Sequence, residues 1–150
     1  MSMFSSFNVN ASGLTAQRLR MDTISENVAN ANTTRTEDGT PYVRKIVSFS
    51  TKGADNSRNF HKVLRGASDA YVGQGVKVTG IFEDTESEER IVYDPSHPDA
   101  DENGYVTYPN VNIITEMTNL IDASRAYEAN STAFNASKSM VQQGLQIAQS

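Results

Sequence analysis

The residues best suited to chemistry are Asp99, Asp101, Asn103 and Gly104. Their pattern, Asp-x-Asp-x-Asn-Gly, copies the first half of an EF-hand loop. There the side chains at positions 1, 3 and 5 bind calcium and a glycine makes the bend. The second half does not follow. Position 12 needs a bidentate glutamate and is Asn110, while Pro98 and Pro109 interrupt the flanking helices. The expectation is an ordinary Asp/Asn/Gly turn. A calcium-binding or interaction module in the 99–104 loop is the alternative. The two histidines, His61 and His97, lie in different loops without a nucleophile beside them. No Gly-x-Ser-x-Gly elbow occurs. Gly73-x-Gly75 is too short for a dinucleotide loop and precedes a strand pattern. With no cysteine, disulfides, thiolate metal sites and thiol nucleophiles are excluded. No catalytic residue, cofactor site or metal site is assigned, and an enzyme is not expected.

Composition narrows the partners. The 150 residues carry a net charge of -5, a weak basis for binding nucleic acid or anionic membrane. Leu, Ile, Val and Phe together make up about a fifth of the chain, near the level at which chains stop folding alone. A marginal monomer that gains stability from partners is the consequence. No apolar run approaches the ~18 residues of a membrane span. The first ten residues lack the basic and apolar regions of a secretory signal.

The elements that must position these residues are two long helices. Ile113, Leu120, Tyr127, Phe134, Val141 and Ala148 recur every seven residues, so they share one helix face. Met117 and Leu145 fall on a second register, and Ala126, Ala133, Met140 and Ile147 flank the first. A helix over 113–148 would be roughly 50 Å long. A second helix is predicted over residues 3–30, with Phe7, Leu14, Met21 and Val28 again spaced by seven and Phe4, Ala11 and Ile24 widening that side. Gly13 weakens it by about 1 kcal/mol relative to alanine. The stop falls in the Asn-rich block 27–34, because asparagine tolerates helix-ending conformations and competes for backbone bonds.

Between the helices, Asp38 and Gly39 mark a turn. Strands are predicted at 42–50, 75–82 and 90–93 from their β-branched and aromatic content. Residues 53–73 read as an irregular loop that Phe60, Val63 and Leu64 could anchor. The acidic stretch 83–89 reads as a solvated face or hairpin tip. The fold class is mainly α: long N- and C-terminal helices forming an antiparallel coiled-coil pair with a small β-rich insert. Segments 1–34 and 111–150 are the helices, and 35–110 is the insert. The two helices alone cannot cover so long a seam on all sides, so assembly with other copies or partners is expected.

Three stretches carry a resemblance. The first runs from Ser12 to Arg18, then through Met21 and Ile24 into the Asn-rich block from Asn27 to Thr34. The second includes Glu116, Leu120, Ala126, Tyr127, Asn130 and Lys138. The third includes Val92, Asp94, Pro95, His97, Pro98, Gly104, Tyr105 and Pro109. Together they resemble the bacterial flagellar axial proteins, and within them those of the proximal rod. The resemblance implies a structural subunit of a hollow periplasmic drive shaft, built through terminal coiled-coil helices. It also implies export by the flagellar type III apparatus without a cleaved signal, and no membrane insertion. Implied partners are other copies of the chain, other rod proteins and that export apparatus. The candidate assembly interface is Phe7, Leu14, Met21, Val28, Asn30 and Asn32 on the first helix. On the second it is Met117, Leu120, Tyr127, Asn130, Phe134 and Val141.

Overall fold

The computed structural model describes residues 3–52 and 75–149, with side chains from Ser5 to Ile147. The expectations for the 53–73 loop, His61 and Gly73, and for the side chains of Phe4 and Ala148, lie outside the described residues. Among the described residues, two helices flank four short strands. In chain order these are α1 (Met3–Ala29), β1 (Lys45–Thr51), β2 (Val76–Glu83), β3 (Arg90–Tyr93), β4 (Tyr105–Tyr108) and α2 (Ile113–Gln149). The helix–insert–helix plan matches the sequence reading. One strand, β4, was not expected.

Each helix end has a local cause. Asn112 caps α2: its Oδ1 accepts the N–H groups of Ile114 at 3.0 Å and Thr115 at 3.2 Å. Such a cap satisfies donors the first turn leaves open, worth about 1 kcal/mol. At the end of α1, the Asn30 amide donates to the Glu26 carbonyl at 3.0 Å and its Oδ1 accepts the Thr33 hydroxyl at 3.1 Å. The Asn-rich block thus folds back on the helix it ends.

Strands β1 and β2 form one two-stranded sheet, and β3 and β4 form another. The second is antiparallel, with Arg90 opposite Tyr108, Ile91 opposite Thr107, Val92 opposite Val106 and Tyr93 opposite Tyr105. Alternation puts Val92 and Val106 on one face and Ile91, Tyr93 and Tyr105 on the other. Val106 is fully buried. Gly104 precedes β4 at φ 82°, a conformation that disfavours other residues, and a side chain there would meet Tyr93 and Pro95.

The chain forms two compact units. One comprises Met1–Arg18, Phe49–Thr79 and Ser124–Ser150; the other comprises Leu19–Ser48 and Gly80–Ala123.

In the first unit, the rings of Phe7 and Phe134 meet edge to face at 5.1 Å. Gly13 has a reason to be glycine: a Cβ there would meet the Asn130 side chain at 2.9 Å. Its cost in helix propensity is accepted where the Asn130 side chain packs against the α1 backbone. The second unit buries Thr23, Ile24, Asn27, Ala31, Tyr42, Asp84, Val106, Glu116 and Ala123.

Among the described residues of α2 the buried positions are Glu116, Ala123 and Ser137. They lie on a heptad row three residues beyond the apolar row of Ile113, Leu120 and Phe134. The apolar row itself is half-buried to exposed. Apolarity alone therefore marked the flank of the buried row, which small and hydrogen-bonded residues fill.

Candidate assembly interface

The tightest feature of the second unit is a buried polar junction around Asn27 and Glu116. Asn27, near the end of α1, makes four hydrogen bonds. Its Nδ2 donates to the Lys45 carbonyl at 2.8 Å and to Glu116 Oε2 at 3.1 Å. Its Oδ1 accepts the Tyr42 hydroxyl at 2.8 Å and the Lys45 N–H at 2.9 Å. Glu116 in the first turn of α2 is 1% exposed. Its Oε1 accepts Arg44 Nε at 2.9 Å and Nη2 at 2.7 Å. Arg44 Nη1 reaches Asp84 Oδ2 at 3.1 Å. A buried charge is tolerated only when paired and hydrogen-bonded in this way.

Asn110 completes the junction by acting as a strand partner. Its Oδ1 accepts the Arg44 N–H at 2.9 Å, and its Nδ2 donates to the Asp84 carbonyl at 2.7 Å. Lys45 Nζ pairs with Glu26 at the exposed edge. The junction thus ties two helical segments to two strand ends through side chains rather than apolar packing.

The electrostatics follow from the same geometry. Burial pushes the Tyr42 hydroxyl up to about 12 from an ordinary 10.0, aided by the negative charges of Glu26, Glu116 and Glu83. Asp84 is held below the usual carboxylate range, first by the Ser87 hydroxyl and then by the Ser87 backbone and Arg44. Arg44 is raised because its bonds to Glu116 and Asp84 outweigh its desolvation, which is the largest single effect on it. None of these shifts belongs to a group facing an open cleft. The junction is built to hold, not to react.

The loop 99–104 is likewise committed to its own fold. Asp101 Oδ1 accepts the N–H groups of Asn103 at 2.9 Å and Tyr105 at 2.7 Å. Asp99 accepts the Thr34 hydroxyl at 2.7 Å and lies 3.8 Å from Arg35. Among the described residues, no group of three or more His, Asp or Glu could hold a metal ion. His97 packs in the turn, its Nδ1 accepting the Asp99 N–H at 3.1 Å and its ring 6.3 Å from Tyr108. In the acidic stretch, Glu83, Glu86, Glu88 and Glu89 are exposed, whereas Asp84 is buried in the junction.

The sequence-derived interface residues divide by exposure. Phe7, Leu14, Met21, Val28, Asn30, Leu120, Asn130, Phe134 and Val141 are half-buried. Phe7 touches Phe134, and Asn130 lies against Gly13. Asn32, Met117 and Tyr127 are exposed. Met117 belongs to an open apolar row whose other members were not singled out from sequence: Ile114 is 79% exposed, Met117 55% and Ile121 53%. Positions i, i+3 and i+7 share one helix face. Beside the start of α2 is an open groove of about 490 Å³, lined by Asn32, Glu88, Arg90, Pro109, Ile113 and Ile114 among others. Sequence reasoning also missed Tyr42, Arg44 and Glu116 as a unit. Polar residues carry no periodic signal when their partners are 72 and 89 positions away.

Comparison with known proteins gives a consistent result. Residues 7–35 match the family described as flagella basal body rod protein. Residues 102–147 match the family described as flagellar basal body rod FlgEFG protein C-terminal. The chain is 48% identical to the flagellar basal-body rod protein FlgC of Borreliella burgdorferi, covering 99% of both chains. It is 47% identical to FlgC of Bacillus subtilis over 98% of this chain and 99% of that one. Against FlgC of Salmonella typhimurium the identity is 37%, over 99% and 100%.

Proposed function

Since the chain belongs to the FlgC family and is a structural subunit of the flagellar basal-body rod, we propose that its terminal helices pair antiparallel and present their open apolar rows to neighbouring subunits. The role is mechanical: a subunit of a hollow shaft that transmits torque. In the first unit Phe7 meets Phe134 and Gly13 meets Asn130; in the second Asn27 meets Glu116. Within each unit, residues of α1 meet residues of α2, and in the first unit the later position in α1 goes with the earlier position in α2. That ordering supports antiparallel pairing of segments 1–34 and 111–150, with 35–110, including 53–73, as the insert.

The observation that carries the assembly reading is the exposed row of Ile114, Met117 and Ile121. Burying three such side chains against a neighbour is worth about 1.5–3 kcal/mol each at most. Contacts between unlike patches do not close on themselves and so build filaments. Self-association and contact with other rod proteins both follow from this reading. So does export, unfolded and without a cleaved signal, through the flagellar type III apparatus into the periplasm. A chain without cysteine cannot be trapped there by disulfides. Among the described residues, no helix is long and apolar enough to cross a membrane.

Sedimentation velocity and circular dichroism at several concentrations test the proposal. Association that deepens with concentration, and is lost in Ile114→Glu with Met117→Glu, is the expected result. A monomer at every concentration, with or without other rod subunits present, would overturn it.

A further inference from the structure

The outer face of the β3–β4 hairpin is an exposed apolar surface away from the helices. Ile91 is 66% exposed, Tyr93 65% and Tyr105 47%, and the two tyrosine rings stack edge to face at 5.2 Å. The opposite face carries Val92, half-buried Tyr108 and fully buried Val106, with Arg90 over the Tyr108 ring at 4.7 Å. The hairpin is therefore anchored through Val106, with this outer face left open. Exposed Glu86, Glu88, Glu89, Asp101 and Glu102 border it in sequence on both strands. An aromatic patch within an acidic border fits a partner that is both apolar and basic.

The chain carries one such stretch. Residues 52–65 contain Lys52, Arg58, Lys62 and Arg65 against the single acid Asp55, in a protein of net charge -5. Phe60, Val63 and Leu64 are interleaved with the basic residues. We infer that the Ile91–Tyr93–Tyr105 face of one copy docks the basic segment 58–65 of another copy. Aromatic side chains supply the contact area, and the acidic border steers the segment and selects it by charge. The contact is heterologous, since unlike patches meet, and it lies outside the helical seam. It rests on the reading that copies of this chain associate, and it adds a second interface to that one.

The absence of cysteine makes the test direct. One full-length preparation carries Ile91→Cys and another carries Phe60→Cys, and the two are mixed under oxidised glutathione. The expected result is a mixed disulfide dimer that forms severalfold faster than with a control partner carrying Glu37→Cys. Lys62→Glu with Arg65→Glu should abolish that advantage, and Glu88→Lys with Glu89→Lys should restore it. Circular dichroism confirms that each variant is folded. A mixed dimer no faster than the control overturns the inference. In a third preparation carrying both cysteines, a disulfide that forms only within single chains also overturns it. If the copies still associate in sedimentation, only the docking is lost. If they do not, the self-association reading falls with it.

Discussion

The two units of this chain solve the same packing problem by different means. In the unit of Leu19–Ser48 and Gly80–Ala123, the contact between α1 and α2 residues is polar: Asn27, Arg44, Asp84, Asn110 and Glu116 satisfy one another. In the other unit it is aromatic and small: Phe7 on Phe134, Gly13 beside Asn130. Apolar packing tolerates sliding and repacking, because its attraction has no direction. A hydrogen-bonded junction admits one register, because displaced donors and acceptors are left buried without partners. The polar unit is thus suited to setting the register of helix against insert. The aromatic unit is suited to adjustment as neighbours assemble.

The largest expected effect would come from breaking the polar side. Glu116→Ala leaves Arg44 and the Asn27 amide facing a void and should cost about 3 kcal/mol, as loss of one partner of a buried pair does. Urea unfolding followed by the near-ultraviolet dichroism of the tyrosines measures it. A loss below that of Phe134→Ala would mean that the two kinds of contact do not differ as argued.

A second expected effect is confined to alkaline solution. Tyr42 has its hydroxyl raised from 10.0 to about 12, so the folded state favours the protonated form. The stabilisation is complete below pH 10 and is lost as the pH rises toward 12. Spectrophotometric titration should show one of the six tyrosines ionising late, together with unfolding. Tyr42→Phe should remove that late step. All six ionising together would separate Tyr42 from the junction.

The smallest effect sharpens the aromatic side. Helix propensity alone says Gly13→Ala stabilises by about 1 kcal/mol. The approach of Asn130 says the reverse, because its amide must move and forfeit its 2.8 Å bond to the Ala126 carbonyl. A loss of about 1 kcal/mol is expected, of the size of one hydrogen bond. Thermal melting checks it, and Asn130→Ala in the same chain should recover the loss. A more stable single variant would show that the helices have room to separate at Gly13.

Much of the fold was legible. The heptads predicted both helices, and the β-branched runs predicted β1, β2 and β3. The Asp38-Gly39 pivot coincides with a glycine at φ 81°. Strand β4 escaped notice because Tyr105 to Tyr108 directly follows a turn-rich segment and is only four residues long. Its strand character comes from pairing with β3. The motif at 99–104 looked like half a metal loop, because Asp and Asn serve equally well to accept backbone N–H groups in a turn.

What the sequence determined by itself was local and periodic: two long helices, short strands between them, no thiol chemistry, and a resemblance to flagellar axial proteins carried by the helix motifs and the 92–109 stretch. Only the tertiary structure decided which helix row is central. Periodicity scored by apolarity pointed to Ile113, Leu120 and Phe134, but Glu116, Ala123 and Ser137 are the buried ones. A carboxylate becomes a core residue only when its partners arrive from elsewhere in the chain. Arg44 and Asn27 lie 72 and 89 positions away, and nothing local in the sequence encodes that meeting.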